Sequence, residues 1–483
     1  MRSHDAFRRV QQRGRVAAYR TRSVPTALYM EAKMCSLRTM NTILVLLLLS
    51  GAAGAQDSRD TDTAKPRQAV PAKPALAPSS ASGDTAPTPR DAGKEAHQPA
   101  SAAPKRSPRR DEAEAGKPPA APRELSPEAQ ARRDELRRCL AYYLLRPETA
   151  ADRAPWGVMH AIVGFGVDTS LKTRAEQVNA IGWLCANQPC KGMRLFHAER
   201  GQVIATVGAG YQGHEGQFLQ MMALSRVPQE FAVKVDGQRF TIADLVKREQ
   251  LTCRARTELS FKLVGLAHYL DTKATWRNQA GESWNLERVI QEELAQPVNK
   301  SAACGGTHRL MGLGYAVWRH QQPGEPLTGQ WARAKQTVDR FAASAFKLQN
   351  ADGSFSTNWF EGPDHSSDIE RRLNTTGHTL EWLLLSLADE QVQDPRLARA
   401  AQFLTALMWR YRSRDWYIGA KGHALHALAL YDERVFGGQP GKRHTELAQY
   451  AEAVTAEGPV EPRETREPVV PPATRWFRAV RGR

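Results

Sequence analysis

Four segments of the chain repeat one arrangement of polar and apolar positions: His160-Ala-Ile162-Val-Gly-Phe165, His308-Arg-Leu310-Met-Gly-Leu313, His378-Thr-Leu380-Glu-Trp-Leu383 and His423-Ala-Leu425-His-Ala-Leu428. Each reads histidine, any residue, apolar, two residues, apolar, which is the spacing of one helix face. Gly213 to Leu219, containing His214, and Thr257 to Leu263, containing Glu258, are looser copies. A second amphipathic stretch precedes each: Glu128 to Leu145, Thr173 to Leu184, Ile242 to Thr252, Leu286 to Leu294, Trp331 to Leu348 and Pro395 to Tyr411. The order is outer helix, inner helix, six times. Such repeats stack into an open solenoid or close into a ring. Gly and polar residues gather where the inner helices are expected to start, at Gly213, Cys304 to Thr307, Asn374 to Gly377 and Gly419 to Gly422. Helix starts crowding one mouth favour closure, so the expected fold is all-α, an (α/α)6 toroid of six helical hairpins. Two β excursions are expected to decorate it, Arg194 to Val207 with Arg200-Gly201 near its middle, and Phe231 to Ile242 around an Asp236-Gly237 turn.

The flanks read differently. Residues 43–49 form a short apolar run behind Lys33 and Arg38, followed by small residues ending in Ala55. That order predicts a signal region over 1–55, cleaved near Ala55, with Met34 and Met40 as alternative starts. The alternative is an uncleaved anchor, for which the run is short of the ~20 residues a spanning helix needs. Residues 56–124, rich in Pro, Ala, Ser and charge, lack the apolar side chains to offset chain entropy and read as a disordered linker. The Pro-rich, basic stretch 456–483 reads as a disordered tail, which leaves 125–455 as the folded domain. Export to the periplasm, cell envelope or outside is therefore expected, with membrane contact only through an uncleaved signal segment.

A formal charge of +16 over 483 residues invites a nucleic-acid reading until its location is considered. Residues 1–39 carry +7, residues 56–123 carry +3 and residues 456–483 carry +2, so the folded middle is close to neutral for its size. A groove built to neutralise many phosphates is not expected, and nucleic acid is excluded as a partner. Past the signal region five cysteines remain, Cys139, Cys185, Cys190, Cys253 and Cys304. Cys185 and Cys190 are the nearest pair for a local bridge in an exported protein, although spacing leaves the connectivity open.

The segment Gln349-Asn350-Ala351-Asp352-Gly353-Ser354-Phe355 resembles the Q-x-x-D-G-S-W motif of the squalene cyclase and protein prenyltransferase repeat superfamily. That resemblance implies an α/α toroid with the motif between an outer and an inner helix: Asp and Gly make a tight turn while the Gln and the aromatic brace neighbouring helices. The match covers one clear copy, with Phe355 in place of Trp. The family's Asp-rich catalytic motifs are absent, and Asp364 and Asp368 match neither of them. Lanthionine cyclases and protein prenyltransferases resemble this layout in carrying a Cys/His zinc site, yet their ligand motifs are not matched by Cys304 to His308.

If the inner helices start at one mouth, His160, His214, His308, His378 and His423 converge there, an arrangement suited to acid/base work or metal ligation. The bland alternative is that each packs its own helix start. Cys304 and His308 are one helical turn apart, and His423 and His426 three residues apart, so each pair can present two ligands on one face. The candidate metal ligands are Cys304, His308, His378 and His423, with zinc as the candidate ion. Glu215, Glu258 and Glu381 sit in or just after the same starts and, paired with His, would act as in glycan-processing toroids; alternatively they complement helix dipoles. Candidate catalytic residues are thus His308, His378, His423, Glu381, Glu258, His160 and His214. Trp156, Trp183, Tyr315, Trp382 and Tyr417 would supply a sugar-stacking or apolar lining. The expected function is an exported toroid that processes or binds a glycan-like or isoprenoid-like small molecule in a His/Glu-lined pocket; the alternative is a non-catalytic cell-envelope scaffold. Oligomeric state is left open.

Overall fold

Ser126 accepts a hydrogen bond from the Ala129 N–H at 3.3 Å, and Pro127 takes the first helical position, where its missing N–H costs nothing. With that cap the structured part of the chain begins. The structure, a computed structural model, describes residues 125–456, all within one unit spanning Ala100–Arg483. The expected signal region, the linker and the tail lie outside the described residues.

In chain order the elements are α1 (Pro127–Leu144), α2 (Pro155–Phe165), the hairpin β1–β2 (Ser170–Lys172, Gln177–Asn179) and α3 (Ala180–Cys185). Then come β3–β4 (Phe196–Glu199, Gln202–Ala205), α4 (Gln217–Leu224), β5–β6 (Ala232–Val235, Gln238–Thr241), α5 (Ile242–Leu251) and α6 (Ser260–Tyr269). The remainder is β7–β8 (Thr275–Arg277, Ser283–Asn285), α7 (Leu286–Leu294), α8 (Thr307–Gln321), α9 (Gly329–Lys347), α10 (Ile369–Ser386), α11 (Pro395–Arg410), α12 (Ile418–Phe436), α13 (Arg443–Glu446) and α14 (Ala451–Ala456). The described chain is mostly helical, and its strands form only two-stranded antiparallel sheets. Among the described residues no helix is long and apolar enough to cross a membrane.

The two helix classes differ in what they bury. Along α12 nearly every residue from Ile418 to Asp432 is buried, and α10 is buried continuously from Thr375 to Leu384. In α7, by contrast, only Leu286, Val289, Ile290 and Glu293 are buried, one stripe at helical spacing. Helices α2, α4, α6, α8, α10 and α12 pack on one another in that order, with α12 also against α2, while the short α14 lies on α1. The odd-numbered helices lie against them: α1 on α12, α3 on α2, α5 on α6, α7 on α6, α9 on α8 and α11 on α10.

Two close approaches govern the tightest of these contacts. A Cβ added at Gly422 of α12 would sit 2.2 Å from the His160 carbonyl oxygen of α2, and one at Gly377 of α10 would lie 3.0 Å from the Ala424 backbone of α12. Without side chains at these positions the three helices approach almost backbone to backbone. The QNADGSF segment sits between α9 and α10. The Gln349 side-chain amide donates to the Arg396 carbonyl at the start of α11 (2.8 Å) and to Gly353 O (3.0 Å). Asp352 Oδ1 accepts from Ser354 N–H (3.0 Å), and buried Phe355 donates its N–H to Thr376 Oγ1 (3.1 Å). The segment thus ties an outer helix to an inner one.

Several expectations need correction. The stretch from Thr173 to Leu184 is mainly the β1–β2 turn, closed by Thr173 and Glu176, and only its end is helical, where Asn179 caps α3. Hairpin β7–β8 was not anticipated; it pairs Trp276 with Trp284 across the strands, too short a run to declare a period of two. Asn374 to Gly377 lies inside α10 rather than at its start, which Asp368 caps. Cys185 and Cys190 are not bridged; all five described cysteines are free. Burial pushes the thiols of Cys139, Cys185 and Cys253 up to about 12, leaving them as small apolar groups in the core.

Gly422→Ala is expected to destabilise the protein by about 2–3 kcal/mol through forced separation of α2 and α12. Gly362→Ala, at a position with open space around it, should fall within about 0.5 kcal/mol of wild type. Chemical denaturation midpoints of the two variants test the difference.

Candidate metal and acid/base site

His308 is the second residue of α8, His378 lies in the middle of α10, and His423 is in the second turn of α12. Because α10 begins well before its histidine, these unequal positions reach the same level, and the close packing enforced by Gly377 and Gly422 brings the rings together. The ring centroids of His378 and His423 are 3.9 Å apart, and His308 lies 5.3 Å from His378 and 5.2 Å from His423. One nitrogen from each of the three falls within 4.8 Å of the others.

Hydrogen bonds set which nitrogen is available. His378 donates through Nδ1 to the Asn374 carbonyl at 2.9 Å, one turn back on its own helix. His423 donates through Nδ1 to Glu381 Oε2 at 2.7 Å. A carbonyl or carboxylate can only accept, so each Nδ1 carries a proton, and in the neutral ring the lone pair is left on Nε2. Both ring nitrogens of His308 are shut off from solvent with no hydrogen-bond partner. Imidazole nitrogens shut off from water with nothing to bond are a costly arrangement.

Glu381 is buried completely and serves two imidazoles, since His426 also donates through Nδ1 to its Oε1 at 2.6 Å. Burial pushes this carboxyl up, but the two histidines more than offset that and hold it well below the usual carboxylate range. The His423/His426 spacing therefore makes a pair around a carboxylate rather than two ligands. Burial drives the His378 imidazole well below its ordinary value, aided by His423 and His308, and it drives His308 down against the opposing pull of Glu381 and Glu258. Neutral imidazoles are the form that binds a cation.

The other expected residues sort by distance. His160 donates through Nδ1 to the Trp156 carbonyl at 2.7 Å and lies edge-on to His423, ring centroids 5.6 Å apart, outside the three-histidine group. Burial and the neighbouring His423 push it down to about 3. His214 lies 6.4 Å from His308 and donates to Glu258 Oε2 at 2.6 Å, with Phe261 against both rings. Cys304 is not part of the group. It precedes the left-handed Gly305-Gly306 turn and α8 starts only at Thr307, so the helical spacing that would align it with His308 does not exist. Glu215 turns away to ion pairs with Lys262 (2.8 Å) and Arg254 (3.2 Å). Trp382 belongs to the packed core, and Trp183 is partly buried against it.

Trp359 was not anticipated. Its buried ring stands perpendicular to His378 at 6.1 Å, in the left-handed region at φ 54°, over a Gly305 that has no Cβ to obstruct it. A lone Trp in a loop carries no spacing signal. On the opposite ends of the even-numbered helices lies a cavity of about 440 Å³ lined by His268, Tyr315, Trp318, His426 and Glu433 among others. Tyr315 and His426 thus face away from the histidine cluster's mouth.

Acid sensitivity follows from the titration directions. The folded His160 imidazole protonates at about 3 against an ordinary 6.5, so below pH 6.5 the unfolded chain binds a proton that the folded one does not. Stability is present above 6.5 and falls as pH drops toward 3, by at most about 1.4 kcal/mol per pH unit from this one group. Glu381, also held low, adds loss in the same direction below its ordinary 4.5. Thermal melting between pH 7 and 4 should show the decline, and His160→Gln should flatten its upper part.

Comparison of the chain with protein-family models, with curated proteins and with solved structures returned no match.

Proposed function

We propose that the described residues form an (α/α)6 toroid whose inner ring is α2, α4, α6, α8, α10 and α12, and that its work is done at a transition-metal centre on His308, His378 and His423. The cyclic packing order of the inner helices supports the toroid. The three converging imidazoles, with both His308 nitrogens unpartnered, are the observation that carries the metal reading. With one nitrogen of each ring within 4.8 Å of the others, the three imidazoles would hold a zinc ion between them. All-imidazole donors suit zinc and also its neighbours in the first transition series.

Three histidines, with no fourth protein ligand among the described residues, is the pattern of a catalytic rather than a structural zinc site. When bound, such an ion supplies Lewis acidity and a water that ionises near neutral pH. Glu381 orients His423 and raises its donor strength, the usual work of a carboxylate behind a ligating imidazole. His214, oriented by Glu258 and about 41% exposed, offers an Nε2 lone pair at the rim for taking or returning a proton. This supports a hydrolytic or other acid/base reaction on a small molecule entering at this mouth. The export reading rests on residues outside the described part.

Elemental analysis of the purified full chain should find one zinc or related ion per molecule. His378→Ala should abolish it, and Glu381→Gln should weaken metal affinity about 10- to 100-fold while His214→Ala leaves it intact. A metal-free chain that also takes up no zinc, cobalt or nickel in titration overturns the reading and returns the scaffold alternative to first place.

A further inference from the structure

The histidine cluster continues sideways as a row of rings. His160 carries Trp156 on its face, ring centroids 3.9 Å apart, and Trp156 in turn carries Tyr417 at 5.6 Å and a 39° tilt. Tyr417 is 61% exposed, the most exposed of the large apolar side chains among the described residues. Its position is not that of a loose surface residue. Its backbone N–H donates to Glu370 Oε1 at 3.0 Å, and Gly419 beneath the two rings leaves so little room that a Cβ there would lie 3.0 Å from Tyr417 and 3.1 Å from Trp156. Two aromatic faces are thus held against a backbone floor, with one of them open to solvent.

The rim of this shelf decides what fits on it. Arg153 bonds Glu148 at 2.6 Å and Asp415 at 3.2 Å, Lys421 also pairs with Glu148, and Arg414 pairs with Glu370 at 3.3 Å. Every one of these charges has an opposite partner, so a phosphate or carboxylate ligand would find no cation without breaking a pair. A wholly apolar chain would strip water from the pairs and offer nothing in exchange. A neutral ring with one apolar face and hydroxyls around its edge meets both demands: its C–H face lies on the aromatic rings and its hydroxyls exchange hydrogen bonds with the paired side chains.

We propose that Trp156 and Tyr417 form the stacking shelf for a pyranose ring of an uncharged glycan, which this mouth presents to the histidine cluster. The proposal names the substrate class of the site described above and rests on that reading for its catalytic meaning, while the binding itself needs no metal.

The test is titration of the full chain, by intrinsic fluorescence and calorimetry, with three uncharged hexasaccharides (cellohexaose, maltohexaose and hexa-N-acetylchitohexaose) and with the anionic hexagalacturonate. Saturable binding of at least one neutral oligosaccharide is expected, weakened at least about tenfold in Tyr417→Ala and in Trp156→Ala with zinc uptake unchanged. Because the Tyr417 side chain is exposed, that variant keeps its fold. No binding by any neutral oligosaccharide, equal or tighter binding of hexagalacturonate, or binding that survives the double variant overturns the proposal. Zinc uptake with no glycan binding faults the shelf alone; glycan binding without metal uptake sustains the shelf and faults the metal centre.

Discussion

A single buried carboxylate organises the centre of this protein. Glu381, in the middle of α10, has no contact with water and would be protonated or expelled if it stood alone, because an isolated charge in a protein interior is too costly to keep. It stays ionised because α12 brings two imidazole N–H groups, one to each oxygen. That arrangement fixes the register of α10 against α12, since a slip of one residue on either helix would leave the charge without a partner. It also fixes the tautomer of His423, and with it the direction in which the free lone pair points.

The helices can meet this requirement only because they come unusually near each other. Gly377 and Gly422 remove the side chains that would separate α2, α10 and α12. The same proximity that satisfies Glu381 therefore compresses His378 and His423 into ring contact. Burial drives His378 and His308 toward the neutral form, which is the state that binds a cation. Stability and chemistry are drawn from one set of contacts, so conditions that charge these rings act on both.

The even-numbered helices have two unlike ends. At one, histidines, the His214–Glu258 pair and the Trp156–Tyr417 rings meet; at the other lies the cavity edged by His268, Tyr315 and Trp318. His426 belongs to the second by position and to the first by its bond to Glu381. In the cavity Arg226 is engaged with Glu433, and Arg443 donates to the Ala429 carbonyl at 3.0 Å. At the histidine end both ring nitrogens of His308 lack a hydrogen-bond partner, and the ring is held by its neighbours Phe261, His378 and His423.

The helix-rich class and the histidine positions were legible in the sequence because a helix face repeats every 3.6 residues and four copies of one pattern reinforce one another. His308, His378 and His423 stood out through that repetition, before any contact was known. The short hairpins β1–β2 and β7–β8 did not, since three-residue strands are too brief to show a period. What required the tertiary structure was everything that depends on distance between helices. Cys304 looked aligned with His308 by spacing, yet a pair of left-handed glycines separates it from the helix; His426 looked like a ligand and proved to be a partner of Glu381; Trp359 arrived from a loop with no pattern of its own. Sequence periodicity determines which face each side chain takes on its own helix, whereas the distance and register between helices are set by glycine contacts and by the need to pair a buried charge, and these are properties of the assembled core.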